Sequence, residues 1–177
     1  SVGIVANNPR YLGGVIDSPA SEKAARFVNL CDAFNIPLVF LVDVPGFLVG
    51  SAAEKSGIIQ HGSRMLYAVA RATVPKLTVV VRKAYGAGYY VMCGRAFEPD
   101  LLVGWPTAEI SVMGAEGMLG IAGGKLFANM PNAEEVKAQM VQFIQGEINV
   151  WRIAQRAFID DVIDPRETRN VLMTGLE

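Results

Sequence analysis

The chain of 177 residues is 51% apolar and 19% charged, a length and composition that suit one globular domain with a substantial core. Its 16 basic and 17 acidic residues leave a formal net charge of −1 and are dispersed, so neither nucleic acid nor an anionic membrane is an expected partner. No apolar run approaches the ~20 residues of a membrane span, so we expect no membrane insertion. The high apolar share predicts that another protein surface covers part of the domain.

The cysteines indicate the redox compartment, and the first residues indicate whether the chain is part of a longer protein. Cys31 and Cys93 are far apart and have no second Cys or paired His at metal-ligand spacing, so we expect no disulfide framework and no zinc motif. A reducing compartment follows, either the cytoplasm or, in a eukaryote, the mitochondrial matrix. The chain starts with Ser1, and Val2 to Ala6 already has the pattern of a buried strand, so we expect a segment cut from a longer protein.

Strand patterns alternate with helical patterns in the first half of the chain. Val2 to Ala6 and Gly13 to Asp17 predict extended segments that form a hairpin-like opening. A helix follows, with Ser18 as its N-cap and Pro19 at its first position. Leu38 to Val42 is a continuous apolar run, typical of a strand buried on both faces of a mostly parallel sheet. The next predicted helix packs through Ile58, Ile59, Gly62, Met65, Leu66, Val69 and Ala72.

The same alternation continues to the C-terminus. Leu77 to Val81 and Leu101 to Trp105 predict further buried strands. A helical pattern runs from about Ala133 to Phe158, with Gly146 as its expected bend, and a last helix starts at Pro165. Strands alternating with helices predict an α/β layered domain, in which ligands bind outside the carboxyl ends of the strands.

The turn Gly86-Ala87-Gly88 joins a predicted strand to a short helix. Small residues there let a ligand approach the backbone and leave free N–H groups at the helix start, which suit a developing oxyanion or enolate. The same residues also suit close packing of helix on strand, and the turn alone does not separate the two interpretations. A dinucleotide site is disfavoured because Val91 stands where a third small residue is required.

Other catalytic side chains are few. His61, the only histidine, is a conceivable general base, but a structural or surface role is the favoured interpretation. Asp43 ends a buried strand, where stabilising the following turn is favoured over titration. Glu109 either is paired or caps the next segment. No nucleophile elbow is present and neither cysteine has a histidine nearby, so no motif for covalent hydrolysis is visible.

A more specific pattern is carried by several segments together. They are Phe34-Asn35-Ile36-Pro37-Leu38, Val42-Asp43-Val44-Pro45-Gly46-Phe47, Gly57-Ile58-Ile59, His61-Gly62, Thr73-Val74-Pro75-Lys76, Arg82-Lys83-Ala84-Tyr85-Gly86 and Trp105-Pro106-Thr107-Ala108-Glu109. This set closely resembles the β-type carboxyltransferase subunits of biotin-dependent acyl-CoA carboxylases, such as the propionyl-CoA and methylcrotonyl-CoA enzymes, and related decarboxylase subunits. The resemblance implies a crotonase/ClpP-like α/β fold, with residues 1–177 forming a single C-terminal carboxyltransferase domain and the N-terminal, CoA-binding half absent.

The resemblance also implies an activity, transfer of a carboxyl group between carboxybiotin and the α-carbon of an acyl-CoA. Biotin, carried on a biotin carrier component, is held mainly by this half. CoA is held mainly by the N-terminal half of a neighbouring subunit, so the site lies between chains of a homo-oligomer. A biotin carboxylase component is a further expected partner. Such a reaction needs no side-chain nucleophile and no metal, and the isolated chain is expected to be inactive.

Particular residues are implicated by the same resemblance. The backbone amides of Ala87 and Gly88 are expected to act as an oxyanion hole for the ureido carbonyl oxygen of biotin, with Gly86, Ala87 and Gly88 binding biotin. Many relatives have two glycines followed by alanine at this turn. Tyr90 lies at the position that tunes the choice of acyl chain. Two alternatives stay open, an acyl-CoA decarboxylase subunit and a non-catalytic assembly module.

Overall fold

The computed structural model describes residues 1–123, 127 and 132–177. Its centre is a six-stranded sheet in the order β1-β2-β3-β4-β6, with β5 paired to β3 beyond the end of β4. All strand pairings are parallel. The strands are β1 (Gly3–Ala6), β2 (Leu38–Val44), β3 (Lys76–Tyr85), β4 (Leu101–Gly104), β5 (Glu109–Ser111) and β6 (Asp161–Val162).

Helices connect these strands and cover the sheet. They are α1 (Ser18–Ala33), α2 (Ser51–Lys55), α3 (Ile58–Arg71), α4 (Gly86–Val91), α5 (Ala115–Gly123), α6 (Ala133–Ile148), α7 (Val150–Gln155) and α8 (Thr168–Thr174). Three 3-10 turns lie at Leu12–Gly14, Arg95–Phe97 and Pro165–Glu167. Within the described residues, none of these helices combines the length and the apolarity that a bilayer crossing requires.

The core lies on both faces of the central strands. On one face, Phe40 and Val42 of β2 belong to a large cluster with α1 and α3, where Val28 and Met65 are buried. On the other face, a smaller cluster around Val79 is covered by α8 and the chain that precedes it. Since β2 is apolar except for Asp43 and is almost wholly buried, its apolar side chains supply the packing that holds the helices to the sheet. The predicted α/β layered class is confirmed.

The N-terminal prediction needs correction. Gly13 to Asp17 does not form a hairpin with the first strand, since β1 pairs with β2 in parallel and residues 12–14 form a 3-10 turn. The N-cap of α1 is Asp17, whose carboxylate accepts the Ala20 N–H at 2.8 Å, and Ser18 is the first helical residue. In α3, Ile59 is 79% exposed, unlike most of the predicted packing face.

The long predicted C-terminal helix is two helices. The break lies at Asn149, not at Gly146, because the Asn149 side chain accepts the Arg152 N–H at 3.1 Å and caps α7. Gly146 is a regular part of α6, where no atom outside its own helix turn would meet an added Cβ within 4 Å. Of the 16 residues of α6, Ile148 alone is buried, so this helix adds little to the core.

Candidate functional site

The bend between β3 and α4 is shaped by Gly86. Its φ of +54° lies in the left-handed region, which a glycine adopts without strain. An added Cβ would come within 2.9 Å of the Val112 carbonyl oxygen, in the segment after β5. The chain therefore turns sharply here only because residue 86 has no side chain.

Gly88 holds the first turn of α4 against the end of β2. It is buried, and a Cβ there would lie 2.8 Å from Val44 Cγ2 and 2.9 Å from the Cα of Gly46. Because one of these neighbours is backbone, the contact cannot be relieved by a side-chain rotation. Close approach, not an unusual φ, is thus the reason for glycine at this position.

The bend is open at Ala87 and closed at Gly88. Ala87 is exposed, Gly86 is half-buried and Gly88 is buried. Among the described residues, no hydrogen bond is donated by the backbone N–H of Ala87 or Gly88, as expected for the first turn of a helix. Two neighbouring N–H groups at the carboxyl end of a parallel strand therefore have no acceptor among the described residues, and that of Ala87 lies at an exposed residue.

Tyr90 lies on the outer side of α4. It is 47% exposed, whereas its neighbour Tyr89 is buried and accepts the Arg95 N–H with its hydroxyl at 3.1 Å. The two rings are tilted by 46° with their centroids 6.2 Å apart. The structure thus leaves Tyr90 free to contact a molecule that approaches the bend.

An apolar cavity of about 310 Å³ lies between α3 and the loop after β2. Its lining includes Phe47, Ile58, Gly62, Leu66 and Val91, the last residue of α4. An added Cβ at Gly62 would lie 3.0 Å from Phe47, so the missing side chain lets the Phe47 ring pack onto α3. The cavity gives the bend an apolar neighbour that suits uncharged parts of a ligand.

Asp43 is paired with β3, and not with the turn that follows β2, where the sequence had favoured a stabilising role. Its carboxylate accepts two hydrogen bonds from Arg82, from Nε at 3.2 Å and from Nη2 at 2.9 Å, and a third from the Lys83 N–H at 3.3 Å. Its own N–H donates to Asn7 Oδ1 at 3.1 Å. The pairing raises the pKa of Arg82, first through these hydrogen bonds and then through the charge of Asp43.

Glu109 accepts a hydrogen bond from the Tyr85 hydroxyl. Burial raises the pKa of Tyr85 above its usual range, and the bond to Glu109 raises it further, so Tyr85 remains a neutral donor. Tyr85 pairs with Ser111 and directly precedes Gly86. Of the two sequence interpretations for Glu109, the paired one is correct.

His61 lies in another part of α3, in a groove against α1. Its Nδ1 is 2.6 Å from Glu22 Oε1, which also accepts from Arg64 Nη1 at 2.5 Å. The hydrogen bond with His61, followed by that with Arg64, lowers the pKa of Glu22. The geometry agrees with the structural role favoured for this histidine.

The sequence did not reveal which side chains flank the bend. Asp43 and Arg82 are 39 residues apart and Tyr85 and Glu109 are 24 apart, so no local motif joins them. Position is a partial signal, since Asp43 and Tyr85 lie near the carboxyl ends of β2 and β3, whereas Glu109 begins β5. In the part of the chain that the structure describes, no cluster of three or more His, Cys, Asp or Glu side chains suits a metal ion.

Fold and site together define a parallel α/β domain with main-chain donors at the carboxyl ends of its strands. A model of the carboxyl transferase domain matches residues 1–177, and the chain belongs to this family. The methylmalonyl-CoA carboxyltransferase 12S subunit of Propionibacterium freudenreichii subsp. shermanii is 51% identical, with 100% of this chain and 34% of that subunit covered. The methylmalonyl-CoA decarboxylase subunit alpha of Veillonella parvula is 45% identical, with 99% and 33% covered.

A solved structure agrees with this assignment. The transcarboxylase 12S hexamer, with methylmalonyl-coenzyme A and methylmalonic acid bound, matches 99% of this chain and 34% of its own with a TM-score of 0.93 and 50% identity. The expected crotonase-like fold and family are therefore confirmed. The chain spans about one third of the length of these relatives.

Proposed function

We propose that this chain is the biotin-side half of a carboxyltransferase site, which moves a carboxyl group between carboxybiotin and the α-carbon of an acyl-CoA. The observation that carries the proposal is the pair of unbonded N–H groups at Ala87 and Gly88, presented at the carboxyl end of β3. Membership of the carboxyl transferase family supports carboxyl transfer as the reaction in which these donors take part.

The bend suits the ureido group of biotin. Glycine at 86 and 88 lets the chain turn and pack against Val112, Val44 and Gly46, and this packing fixes the direction of the amides that follow. Carboxybiotin, when bound, supplies the carboxyl group and then the base that removes the acyl-CoA α-proton. The amides of Ala87 and Gly88 donate to the ureido oxygen and stabilise the negative charge that grows there. One preorganised donor of this kind is worth about 2.7–4 kcal/mol in a transition state.

The remaining parts of the reaction have their own assignments. Tyr90, exposed on α4, is proposed to limit the size of the acyl chain. The N-terminal half of a neighbouring carboxyltransferase subunit supplies the CoA site, and biotin carrier and biotin carboxylase components deliver the carboxyl group. The protein thus works as a homo-oligomer, in line with the hexamer of its structural relative.

An assay of the full-length protein tests this function. It is incubated with free biotin and with malonyl-, methylmalonyl- and longer acyl-CoA substrates, and carboxyl transfer is followed by mass spectrometry. Transfer by the full-length protein and none by the 177-residue chain alone is the expected result. Robust activity of the isolated chain would contradict a site shared between chains, and an inactive full-length protein would favour the assembly-module alternative.

A decarboxylase subunit is the second candidate, supported by the 45% identity to the Veillonella parvula protein. The two candidates use the same amides and differ in the direction of net transfer. The component that works with the full-length protein separates them, because a carboxylase acts with a biotin carboxylase component and a decarboxylase acts with a membrane decarboxylase subunit. Co-purification of the full-length protein with one or the other of these components, identified by mass spectrometry, is therefore the test.

A further inference from the structure

The pairing of β2 with β3 changes register just before the bend. Val42 pairs with Val80, whereas Val44 pairs with Ala84. Between these pairs, Asp43 alone on β2 lies opposite a longer stretch of β3. Such a bulge leaves main-chain groups of the longer strand without their partners in the sheet.

The Asp43 carboxylate occupies this bulge. It accepts the Lys83 N–H at 3.3 Å and the Arg82 guanidinium at 2.9 and 3.2 Å. Asp43 is buried, and its N–H is bonded to Asn7 Oδ1 beyond the end of β1. One side chain therefore ties β3 to β2 at the irregular step, and its backbone ties β2 to the chain after β1.

The position of the loop after β2 depends on this step. Three residues beyond Asp43, the Cα of Gly46 abuts Gly88, and the Gly46 carbonyl accepts the Ile16 N–H at 3.0 Å. On the β3 side, Ala87 and Gly88 follow Arg82 and Lys83 after four to six residues. Asp43 thus links the strand that leads to Gly46 with the strand that leads to Ala87 and Gly88, and these two segments are in contact at the bend.

We propose that Asp43 is a positioning residue for carboxyl transfer, which fixes the step in register between β2 and β3 and thereby the placement of the Ala87 and Gly88 amides. The inference rests on the proposed function of those amides. Asp43 acts through Arg82, Lys83 and the Gly46–Gly88 contact, and it does not touch the substrate. A displacement of about 1 Å at reacting groups lowers rates by up to about 100-fold, so a small relaxation of the bulge is sufficient.

The chain contains a matched control for a purely structural role. Asp160 also pairs with an arginine, Arg95, at 2.9 Å, and also accepts a strand N–H, that of Leu102, at 2.7 Å. It belongs to the loop before β6, and its link to α4 is indirect, through Arg95, whose N–H donates to the hydroxyl of Tyr89 on the side of α4 away from the bend's first residues. Removing either carboxylate costs a similar set of hydrogen bonds, but only Asp43 adjoins the bend.

The test compares Asp43→Asn with Asp160→Asn in the full-length protein, with kcat and KM measured for carboxyl transfer from methylmalonyl-CoA to free biotin. Asp43→Asn is expected to lower kcat by about 10- to 100-fold, with a KM for methylmalonyl-CoA within about twofold of the unchanged protein. Asp160→Asn is expected to keep kcat within about twofold while losing a comparable amount of thermal stability. Arg82→Gln, at a half-exposed side chain, is the second variant and is expected to lower kcat in the same sense.

The outcomes are separable. If the unchanged protein transfers no carboxyl group, the proposed function fails before Asp43 is tested. A second outcome is that the unchanged protein is active, Gly88→Val is inactive, and Asp43→Asn folds and keeps full kcat. In that case the amides are catalytic, but the positioning role of Asp43 is wrong. Should Asp43→Asn fail to fold, unchanged kcat in Arg82→Gln likewise overturns the inference.

Discussion

The backbone of Gly46 lies so close to Gly88 that a Cβ on Gly88 would be 2.9 Å from the Gly46 Cα. This contact joins the loop after β2 to the first turn of α4, whose amides are the proposed donors to biotin. Because Gly88 has no side chain, the two segments approach more closely than a Cβ at that position would allow, whereas a Cβ added at Gly46 would meet nothing within 4 Å. The contact accounts for glycine at position 88 independently of any ligand.

Replacing Gly88 with valine should abolish most carboxyl transfer. The new side chain would overlap Val44 and Gly46 and push α4 away from β2, at a cost of about 1–3 kcal/mol in the free energy of unfolding. We expect kcat of the full-length protein to fall by at least about 100-fold, as when an oxyanion donor is lost. Gly146→Val is the control, since an added Cβ at Gly146 meets nothing within 4 Å. Equal activities of the two variants would contradict the role of the bend.

His61→Ala should leave carboxyl transfer largely intact. His61 is bonded to Glu22 in the groove between α1 and α3, and this exposed cluster contributes to the packing of the two helices. We expect a small fall in melting temperature and kcat within about twofold of the unchanged protein. A large loss of kcat with normal folding, measured by the same transfer assay, would make His61 a participant in the chemistry.

Asp32 should stabilise the chain in a pH-dependent way. Its Oδ1 accepts the N–H and hydroxyl of Thr73, at 2.7 and 3.1 Å, and the Val74 N–H at 3.3 Å. The Thr73 N–H is the main cause that lowers the pKa of Asp32. The stabilisation is therefore fully present above the unfolded pKa of about 3.9 and is lost as the pH falls through the lower folded value.

The measurement for Asp32 is urea unfolding of the unchanged protein and of Asp32→Asn at pH 7 and pH 3. We expect a difference of about 1–2 kcal/mol at pH 7, which narrows at pH 3. Glu177→Gln, at the exposed last residue, is the control and should show no difference at either pH. A difference for Asp32→Asn that does not change with pH would exclude an ionised carboxylate as its origin.

The two cysteines should be unreactive in the folded protein. Cys31 and Cys93 are 2% and 0% exposed, and burial raises the pKa of the Cys93 thiol to about 11. Because the unfolded thiol ionises from about pH 8.5, the unfolded state binds fewer protons above that pH and stability declines. Iodoacetamide labelling at pH 8, followed by mass spectrometry, should modify both thiols only in denaturant. Rapid labelling of Cys93 without denaturant would show that its site is open.

Sequence patterns predicted the central elements well. The apolar runs in β2 and β3 identified both strands, because burial on both faces favours apolar side chains at consecutive positions, with Thr78 and Asp43 as the buried polar exceptions. By contrast, β5 was missed, since its three residues include a glutamate and a serine and have no strand pattern. The helix break was placed at Gly146 because glycine weakens a helix, yet the Asn149 cap determines it.

Around the bend, the sequence identified the residues of the turn but did not predict which side chains contact one another. Gly86, Ala87 and Gly88 were identified from the turn and the family resemblance, and the structure adds that Gly86 needs a left-handed φ and Gly88 a close approach. The bond between Asp43 and Arg82 depends on a register step that no periodicity records. Long-range partners of this kind are set by the sheet as a whole, so local patterns do not contain them.

Because few side chains of α6 are buried, this helix is expected to unfold locally before the rest of the domain. A helix of 16 residues with Ile148 as its single buried residue is held mainly by its own hydrogen bonds, which are weak in water at this length. Amide protons of α6 should therefore exchange with deuterium long before those of β2, because β2 is exposed to solvent only when the entire sheet unfolds. The domain thus combines a stable central sheet with a peripheral helix, α6, that opens more easily. A neighbouring protein surface that covers the exposed Phe143 side chain would slow this opening.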